Sequence, residues 1–469
     1  MRGFAKSCTQ RPLCAERPAR YSTRMNILLE DVRSLQGRHE IPLRPLTIVV
    51  GENSSGKSTI LGAVAALSNS ERFPGQAGFN TPPFSFGGFS EIASMRRGGQ
   101  ARSFGIGYIL DANAHPEGGF LSVLARYRDD SGRPVIASLD VETRSTSLHL
   151  KHFMSSGNVK LSVSYEVRPS DAEVARRTFH HRGSPPLPLS ELTIDSLFAF
   201  VVGMVRQKEA EKSLHRGERQ RDVGAQSPLA LFEAARPLLT VGRDGAAAWG
   251  TVKSLAPVRT KPQRTYDVTD DLYTPEGEHI PYRLRGEARR SKVLASLDDF
   301  GVASGLFDFI RIKRLGSQSS SPFQVLVGLA GEPVNLANVG YGVSQSLPVI
   351  TETLLTKERS TLLVQQPEVH LHPRAQAALG TFFTRAAASG VSRIIIETHS
   401  DYLLDRVRQE VAAGTIAPHD VAILFTERSG LNATVHQIEL DKTGNVLGAP
   451  PSYRAFFVDE ELRLLSRGS

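Results

Sequence analysis

The chain has 469 residues, of which 40% are hydrophobic and 22% are charged. This composition is typical of a globular protein and excludes the disordered, collagen-like and disulfide-scaffold classes. The formal net charge is +8, but residues 1–24 contain six basic side chains and one acid and so supply +5 of it. The charge of the whole chain is therefore weak evidence that the rest of the protein binds a polyanion.

Residues 1–24 also contain both cysteines and show neither helical nor strand periodicity. They lack the apolar core of a secretory signal. We expect a basic disordered leader or a translation start upstream of the true one at Met25, with an organelle transit peptide as the alternative. The longest apolar run, Leu197–Val205, is too short for a membrane-spanning helix of roughly 20 residues. The sequence predicts a cytoplasmic protein without membrane contact.

Order is predicted to begin at Met25, with one strand near 27–32 and a buried strand over 43–50. A glycine-rich turn and a helix over 58–67 follow. Four short apolar runs between 104 and 167, separated by turn residues, predict an antiparallel sheet.

Residues 168–320 read as a mostly helical or irregular insertion, with helices expected at 190–213, 228–236 and 287–310. The following segment, 321–450, contains a strand at 323–327 and short apolar strands at 362–364 and 394–396. Each of the last two precedes a helical stretch, which predicts a parallel sheet. Residues 451–469 form a C-terminal tail.

The strongest motif is Gly51-Glu52-Asn53-Ser54-Ser55-Gly56-Lys57-Ser58, which fits the phosphate-loop pattern GxxxxGK[ST]. It follows an apolar strand and precedes a helix, as the pattern requires. Its glycines let backbone amides surround phosphate oxygens at the positive end of the helix. We expect Lys57 to reach the β- and γ-phosphates of ATP and the Ser58 hydroxyl to hold Mg²⁺.

Three further motifs follow in the second half of the chain. A helix start contains Gly342-Val343-Ser344-Gln345, the strand at 362–364 leads into Gln365-Gln366-Pro367-Glu368-Val369-His370-Leu371-His372-Pro373, and the strand at 394–396 leads into Glu397-Thr398-His399-Ser400. Phosphate-loop ATPases place a carboxylate at the end of a neighbouring strand, where it serves Mg²⁺ and water.

In this order the motifs resemble those of the ABC-type ATPase heads of the SMC/RecF and OLD group. The resemblance is greatest to prokaryotic AAA-family ATPases that lack a Toprim nuclease domain. It covers about 25–460 and implies an α/β fold: a P-loop NTPase of ABC-ATPase type with an antiparallel β subdomain and a mostly helical insertion. Residues 25–167 and 321–450 would be the two halves of the head.

The resemblance also assigns roles to individual residues. It makes Gly51 to Thr59 the Walker A loop. Gly342, Ser344 and Gln345 occupy the signature motif, which in the family presents a helix N-terminus to the ATP of a second subunit, so a homodimer through the ATP sites is implied. Gln365 and Gln366 occupy the Walker B metal position and the catalytic glutamate position. His370 to Pro373 form the D-loop, and His399 is the switch histidine.

The two glutamines depart from the family pattern. A glutamine can orient a water molecule, but it cannot accept a proton near neutral pH and contributes less to the neutralisation of Mg²⁺. Glu368 is the nearest carboxylate, able to act as base or metal-side ligand after a small loop shift, and Glu397 is a second candidate. We expect slow or conditional ATP hydrolysis.

Two functions stay open from the sequence. One is an ATPase that uses ATP-dependent head dimerisation and hydrolysis as a switch, in DNA-related genome maintenance or phage defence. The other is an ATP-gated sensor or scaffold that hydrolyses little and controls a separately encoded effector protein. Arg259, Lys261 and Arg264 form a basic cluster that indicates either a contact with a polyanion such as DNA or RNA, or a contact with the neighbouring phosphates, or ordinary surface charge.

Overall fold

The computed structural model describes residues 24–68, 73–75, 77–110, 121–143, 146–155, 158–167, 175–182, 203, 248–268, 272–287 and 291–453. The predicted leader up to residue 23, the predicted helices at 190–213 (residue 203 apart) and 228–236, and the tail beyond 453 lie outside these residues.

Twenty strands and seven α-helices are named below from the described part of the chain. The strands are β1 Met25–Val32, β2 Leu35–Leu43, β3 Leu46–Gly51, β4 Met95–Arg96, β5 Gly99–Gln100, β6 Ser103–Leu110, β7 Leu121–Asp130, β8 Arg133–Thr143, β9 Thr146–Ser155, β10 Asn158–Val167, β11 Ala175–Arg182, β12 Thr251–Leu255, β13 Ile310–Arg314, β14 Phe323–Leu329, β15 Glu332–Asn335, β16 Ser360–Gln365, β17 Ser392–Glu397, β18 Val421–Ser429, β19 Asn432–Leu440 and β20 Val446–Leu447. The helices are α1 Lys57–Ser68, α2 Phe89–Ile92, α3 Ile280–Glu287, α4 Ser291–Ser304, α5 Tyr341–Leu355, α6 Pro373–Ala388 and α7 Asp401–Ala412.

An antiparallel sheet of eight strands has the order β11-β10-β9-β8-β7-β6-β1-β2. Consecutive strands from β6 to β11 are neighbours, so this part is a meander in which each strand turns back beside the previous one. The antiparallel sheet predicted between 104 and 167 is confirmed. It continues beyond 167, because β11 pairs with β10 along its whole length.

A second sheet of seven strands has the order β12-β16-β17-β3-β18-β19-β20. The first five strands run parallel, and β19 and β20 add antiparallel neighbours at one edge. The parallel pairing predicted for the strands at 362–364 and 394–396 is confirmed. Since β17 lies between β16 and β3, the carboxyl ends of these three strands meet at one edge of the sheet.

Side chains of the central strands alternate between two apolar cores, as the pleat of a strand requires. Leu363 and Ile395 face a core shared with α1 and the antiparallel sheet. Leu362 and Ile394 face the opposite core, which contains the buried faces of α5, α6 and α7. The parallel sheet is therefore covered on both faces, and its central strands β16 and β17 are buried along their length.

The predicted insertion at 168–320 differs from the structure in its described parts. β11 belongs to the antiparallel sheet, and β12 forms an edge strand of the parallel sheet beside β16. β13 joins β14 and β15 in a separate three-stranded sheet. β12 has only five residues and takes its pairing from a strand more than 100 residues away, so local periodicity could not reveal it. The helix expected over 287–310 is found as α4, which ends earlier.

No helix in the described ranges has both the length and the apolar character needed to cross a lipid bilayer.

The fold is α/β: a P-loop NTPase of ABC-ATPase type with an antiparallel β subdomain. The phosphate loop joins β3 to α1 at the edge of the sheet where β16 and β17 also end. This arrangement brings the three sequence motifs of residues 51–58, 365–373 and 397–400 to one side of the molecule.

Candidate functional site

The phosphate loop is held by bonds within the loop and to the neighbouring strand β18. Lys57 is buried, and its Nζ donates to the carbonyl oxygen of Gly51 at 3.0 Å and to that of Glu52. The hydroxyl of Ser55 donates to the Glu52 carbonyl at 2.7 Å and also contacts the hydroxyl of Thr426. The loop therefore has a defined shape in which the Lys57 ammonium folds back over the backbone.

Gly51 is required where β3 leaves the sheet. Its φ is +144°, and a Cβ atom there would lie 2.2 Å from the carbonyl oxygen of Thr426. Because β3 and β18 approach each other closely here, no side chain fits at position 51. Glycine also allows the positive φ with which the chain turns sharply into the loop. The turn leads into the loop whose backbone amides can surround a phosphate.

A cleft of about 550 Å³ opens at the carboxyl edge of the parallel sheet. Its walls are formed by Arg33, Ser34, Asn53, Ser54, Gly56, Lys57, Ser58, Thr59, Gln366, Glu397, His399 and Arg428. The structure thus brings the predicted loop residues from Asn53 to Thr59, apart from Ser55, together with two of the predicted catalytic residues, Gln366 and His399. Four other predicted site residues do not line the cleft: Gly51, Ser55, Gln365 and Glu368.

One carboxylate, that of Glu397, lies beside the loop serine. The Ser58 hydroxyl is 2.9 Å from each of the two carboxylate oxygens of Glu397. The Gln365 amide donates to the Oε2 atom of the same carboxylate at 3.1 Å. Strand register explains the contact, because Gln365 and Glu397 are directly opposite each other at the ends of β16 and β17.

The Glu368 carboxylate lies beside the backbone of His399 and does not line the cleft. Its Oε1 atom accepts from the backbone N–H of His399 at 2.7 Å, and the Thr398 side chain also bonds to it. Its Oε2 atom is buried without a hydrogen-bond partner among the described residues. Burial raises the pKa of Glu368 above its ordinary value, although these hydrogen bonds and the charge of Arg259 oppose the shift. In this arrangement Glu368 positions the backbone of His399.

His399 and Lys57 influence each other electrostatically across the cleft. Burial, followed by the positive charge of Lys57, lowers the pKa of His399 below its ordinary value of 6.5. Burial also lowers the pKa of Lys57, against the nearby negative charge of Glu397. The imidazole is therefore mostly neutral near pH 7, and one ring nitrogen remains free to accept a hydrogen bond.

The predicted signature motif lies at the start of α5. Gly342 is close to the D-loop, since a Cβ atom there would be 3.0 Å from the His370 carbonyl oxygen. Ser344 is only 6% exposed, and its hydroxyl donates to the Tyr341 carbonyl within the same helix. Tyr341 is 52% exposed, and the centre of its ring lies 5.6 Å from that of the His370 ring, with the two planes tilted by 41°. The exposed part of this helix start is therefore Gly340 and Tyr341.

Gln345 faces inward and joins α5 to the segment after β12. Its amide makes two bonds to the backbone of Arg259, one to the N–H and one to the carbonyl oxygen, each 3.2 Å long. The Arg259 guanidinium donates in turn to the carbonyl oxygen of Gln365 at 2.9 Å. Arg259 therefore forms a physical bridge between the signature helix and the end of β16.

The basic cluster expected at 259–264 is not a continuous surface patch. Arg259 is 3% exposed, and burial lowers its pKa to about 10. Arg264 donates to the side-chain oxygen of Asn338 at 2.9 Å. Lys261 is exposed. The sequence could not show that the first of these three side chains points into the protein.

Sequence reasoning missed three residues of the cleft wall: Arg33, Ser34 and Arg428. Arg33 and Ser34 form the turn between β1 and β2, and the Arg33 guanidinium lies 4.5 Å from the centre of the Phe86 ring. Arg428 is near the end of β18, which is parallel to the phosphate-loop strand β3. These residues belong to no local motif, so only the pairing of the strands reveals them.

Part of the chain matches a family of AAA domains. The family model, described as "AAA domain, putative AbiEii toxin, Type IV TA system", covers residues 208–405. That segment contains the signature, Walker B and switch positions but begins after the phosphate loop, and it spans less than half of the chain. Together with the phosphate loop and the sheet order, the match supports an ABC-type AAA ATPase. No curated protein matches the chain.

The chain is also similar to solved SMC head domains. One is an SmcHead bound to the C-winged helix domain of ScpA, at 13% identity and a TM-score of 0.44, covering 89% of this chain and 98% of that one. A second is the Pyrococcus furiosus Smc head with an extended coiled coil bound to the C-terminal domain of ScpA, at 12% identity and a TM-score of 0.43, covering 94% and 99%. A third is the SMC head domain from Thermotoga maritima, at 10% identity and a TM-score of 0.37, covering 89% and 100%. At TM-scores below 0.5 these likenesses decide nothing about function.

Proposed function

We propose that the protein binds ATP with Mg²⁺ in the cleft between the phosphate loop and the ends of β16 and β17, and hydrolyses it slowly. One observation carries this proposal: Lys57, Ser58, Glu397 and His399 converge on a single cleft. An ammonium group binds phosphate oxygens, and a hydroxyl with a carboxylate can bind a divalent cation. A neutral imidazole can accept a hydrogen bond from the water beside the γ-phosphate.

Each group has a definite task in this proposal. The Walker A backbone and Lys57 hold the phosphates, after the ammonium exchanges the loop carbonyls for phosphate oxygens. Mg²⁺ would supply charge neutralisation between the β- and γ-phosphates. Gln366 lines the cleft and can orient a water molecule through its amide oxygen. His399 follows the end of β17 by two residues and lines the cleft, where it can sense the γ-phosphate.

We further propose that ATP joins two heads and that this pairing is the output of the protein. A helix N-terminus attracts phosphate, and the first residues of α5 are exposed. Because Ser344 is buried, we propose that the contact is made by Gly340 and Tyr341, which are exposed. Pairing of two heads is a population shift that ATP drives by binding the paired state more tightly.

We also propose a role in the cell and the partners that go with it. The matched family carries the name of a toxin of a toxin–antitoxin system, which agrees with a defence function and with a separately encoded partner protein. DNA or RNA remains a proposed partner. Its support from the 259–264 cluster is reduced, because Arg259 is buried. A cytoplasmic location stays a prediction from the sequence.

The first experiment measures binding of a fluorescent ATP analogue and ATP turnover by the full chain, with and without DNA or RNA. Lys57→Ala should abolish both binding and turnover, because it removes the phosphate-binding ammonium. Lys357→Ala is the matched control, since this lysine is exposed and does not line the cleft. Equal ATP binding by Lys57→Ala and the unaltered protein would refute the site. Tight binding without any turnover would favour the ATP-gated scaffold.

A further inference from the structure

The usual source of the metal-binding carboxylate is missing at the end of β16. Positions 365 and 366 are glutamines, and a neutral amide is a poorer ligand for Mg²⁺ than a carboxylate. Among the described residues that form the wall of the cleft, Glu397 is the only acidic one. Glu368 is turned toward the His399 backbone and is absent from this wall.

We infer that Glu397, on the neighbouring strand β17, supplies the carboxylate for the Mg²⁺ of the bound nucleotide. This inference rests on the proposed function and names the residue that makes the site work. It places the metal ligand one strand closer to the phosphate loop than the Walker B position, because β17 lies between β16 and β3. The inferred ligand is therefore on β17 instead of β16, but at the same edge of the sheet.

The Ser58 hydroxyl and the Glu397 carboxylate lie close enough together that both could hold one Mg²⁺ ion. Ligands of Mg²⁺ lie about 2.0–2.1 Å from the ion, so two adjacent ligands of an octahedron are about 2.9 Å apart. The Ser58 hydroxyl is 2.9 Å from both oxygens of Glu397. The Oε1 atom, to which Gln365 does not donate, can therefore bind the metal beside the Ser58 hydroxyl once that hydroxyl turns its proton away.

Gln365 has a supporting role in this arrangement. Its Nε2 atom donates to the Oε2 atom of Glu397 at 3.1 Å, and Glu397 is 4% exposed. A hydrogen bond to one carboxylate oxygen orients the group and leaves the other oxygen for the metal, as partners of metal ligands commonly do. The backbone adds a second constraint, since the Gln366 N–H donates to the Glu397 carbonyl oxygen at 2.7 Å.

The test uses Mn²⁺ as the probe, with ADP, and measures free Mn²⁺ by electron paramagnetic resonance on the full chain. Glu397→Gln should weaken nucleotide-dependent Mn²⁺ binding by at least about tenfold, because even indirect changes around a metal ligand have effects of 10–100-fold. Glu439→Gln removes an exposed carboxylate of β19 and is the matched control. Unchanged Mn²⁺ affinity in Glu397→Gln would overturn the inference, as would a loss found in Glu368→Gln instead.

Exchanging the side chains at positions 365 and 397 distinguishes the loss of a metal ligand from a general loss of folding. Positions 365 and 397 face each other in register, so the double variant Gln365→Glu, Glu397→Gln returns one carboxylate to the same edge. It should recover most of the Mn²⁺ affinity lost in Glu397→Gln. A folded double variant without that recovery would contradict the inference.

Metal-free binding of fluorescent ADP, measured in the presence of a chelator, separates this inference from the proposed function. Glu397→Gln should retain that binding, because the phosphates are held by Lys57 and the loop. If Lys57→Ala binds ADP as well as the unaltered protein does, the nucleotide site itself is wrong. If Lys57→Ala fails to bind ADP and Glu397→Gln still binds Mn²⁺ normally, only the assignment of the metal ligand is wrong.

Discussion

At the scale of single residues, the cleft depends on charges that modify one another over short distances. Lys57 is the central group. It is buried, it lies near the carboxylate of Glu397, and its own charge acts on His399. Removing this one ammonium should therefore change the titration of a histidine on another strand as well as the binding of phosphate.

We predict that Lys57→Ala raises the pKa of His399 toward its ordinary value of 6.5. The reason is that the nearby positive charge, which disfavours a protonated ring, is gone. Proton NMR of the histidine ring between pH 5 and 8 measures this, with the His399 signal assigned as the one lost in His399→Gln. Lys357→Ala should leave that signal unchanged. An unshifted titration in Lys57→Ala would show that the two groups are not coupled.

Glu368 gives a second prediction, in which the sign follows from the raised pKa. A carboxyl group whose folded-state pKa lies above its unfolded value favours folding at low pH, and that contribution is lost as the pH rises through the folded-state pKa. Glu368→Gln resembles the protonated form and still accepts from the His399 N–H. We expect the free energy of unfolding of Glu368→Gln minus that of the unaltered protein to increase from pH 4 to pH 8.

Urea unfolding at several pH values tests this expectation. The net shift already includes the opposing charge of Arg259, so that charge does not reverse the sign. Glu439→Gln is exposed and serves as the control. A stability difference between Glu368→Gln and the unaltered protein that stays constant from pH 4 to pH 8 would contradict the linkage argument.

At the scale of secondary structure, three elements are joined through the segment after β12. The Arg259 backbone bonds to Gln345 of α5, and its guanidinium bonds to the carbonyl oxygen of Gln365 at the end of β16. The Nε and Nη1 atoms of Arg259 are buried without a partner among the described residues. One buried side chain, that of Arg259, therefore joins the segment bonded to α5 with the end of β16.

Gln345→Met should lower the free energy of unfolding by about 2 kcal/mol, since a buried N–H and a buried carbonyl oxygen of Arg259 each lose a partner. The side chains are similar in volume, so a cavity adds little. Urea denaturation measures the change, and Gln263→Met, at an exposed position, is the control. Equal stability of the two variants would mean that the Gln345 bonds contribute nothing to folding.

At the scale of the whole molecule, the arrangement of the head determines which surface could meet a second copy. The exposed start of α5 carries Tyr341, whose ring lies against that of His370, a residue of the predicted D-loop. The start of α5 and the segment that contains His370 therefore lie side by side. A second head that binds there would place its own phosphates close to Gly340 and Tyr341.

We predict that Tyr341→Glu prevents the dimerisation of the protein that a non-hydrolysable ATP analogue induces. The monomeric variant should still bind nucleotide. A carboxylate at this position would face the phosphates of the partner head, and like charges repel strongly at an interface. Light scattering after size-exclusion chromatography measures the mass. Leu329→Glu, at the exposed end of β14, is the control. An unchanged dimer fraction in Tyr341→Glu would exclude this surface.

Local sequence was sufficient for the features that depend on neighbouring residues. The phosphate loop could be recognised because GxxxxGK[ST] requires a glycine turn between a buried strand and a helix, and β3 and α1 provide both. The strands β16 and β17 were predictable because continuous apolar runs are typical of strands buried on both faces. Their parallel pairing followed from the helices between them.

Tertiary structure alone decided the features that join distant parts of the chain. β12 becomes a strand through pairing with β16, and Arg259 is buried through contacts with residues 345 and 365. The contact of Glu397 with Ser58 joins residues 339 positions apart. Sequence periodicity reports which face of an element is apolar, whereas strand order and register determine which polar side chains meet at the end of a sheet. For this reason the sequence predicted an ATP site, and the fold decided which carboxylate lies beside its serine.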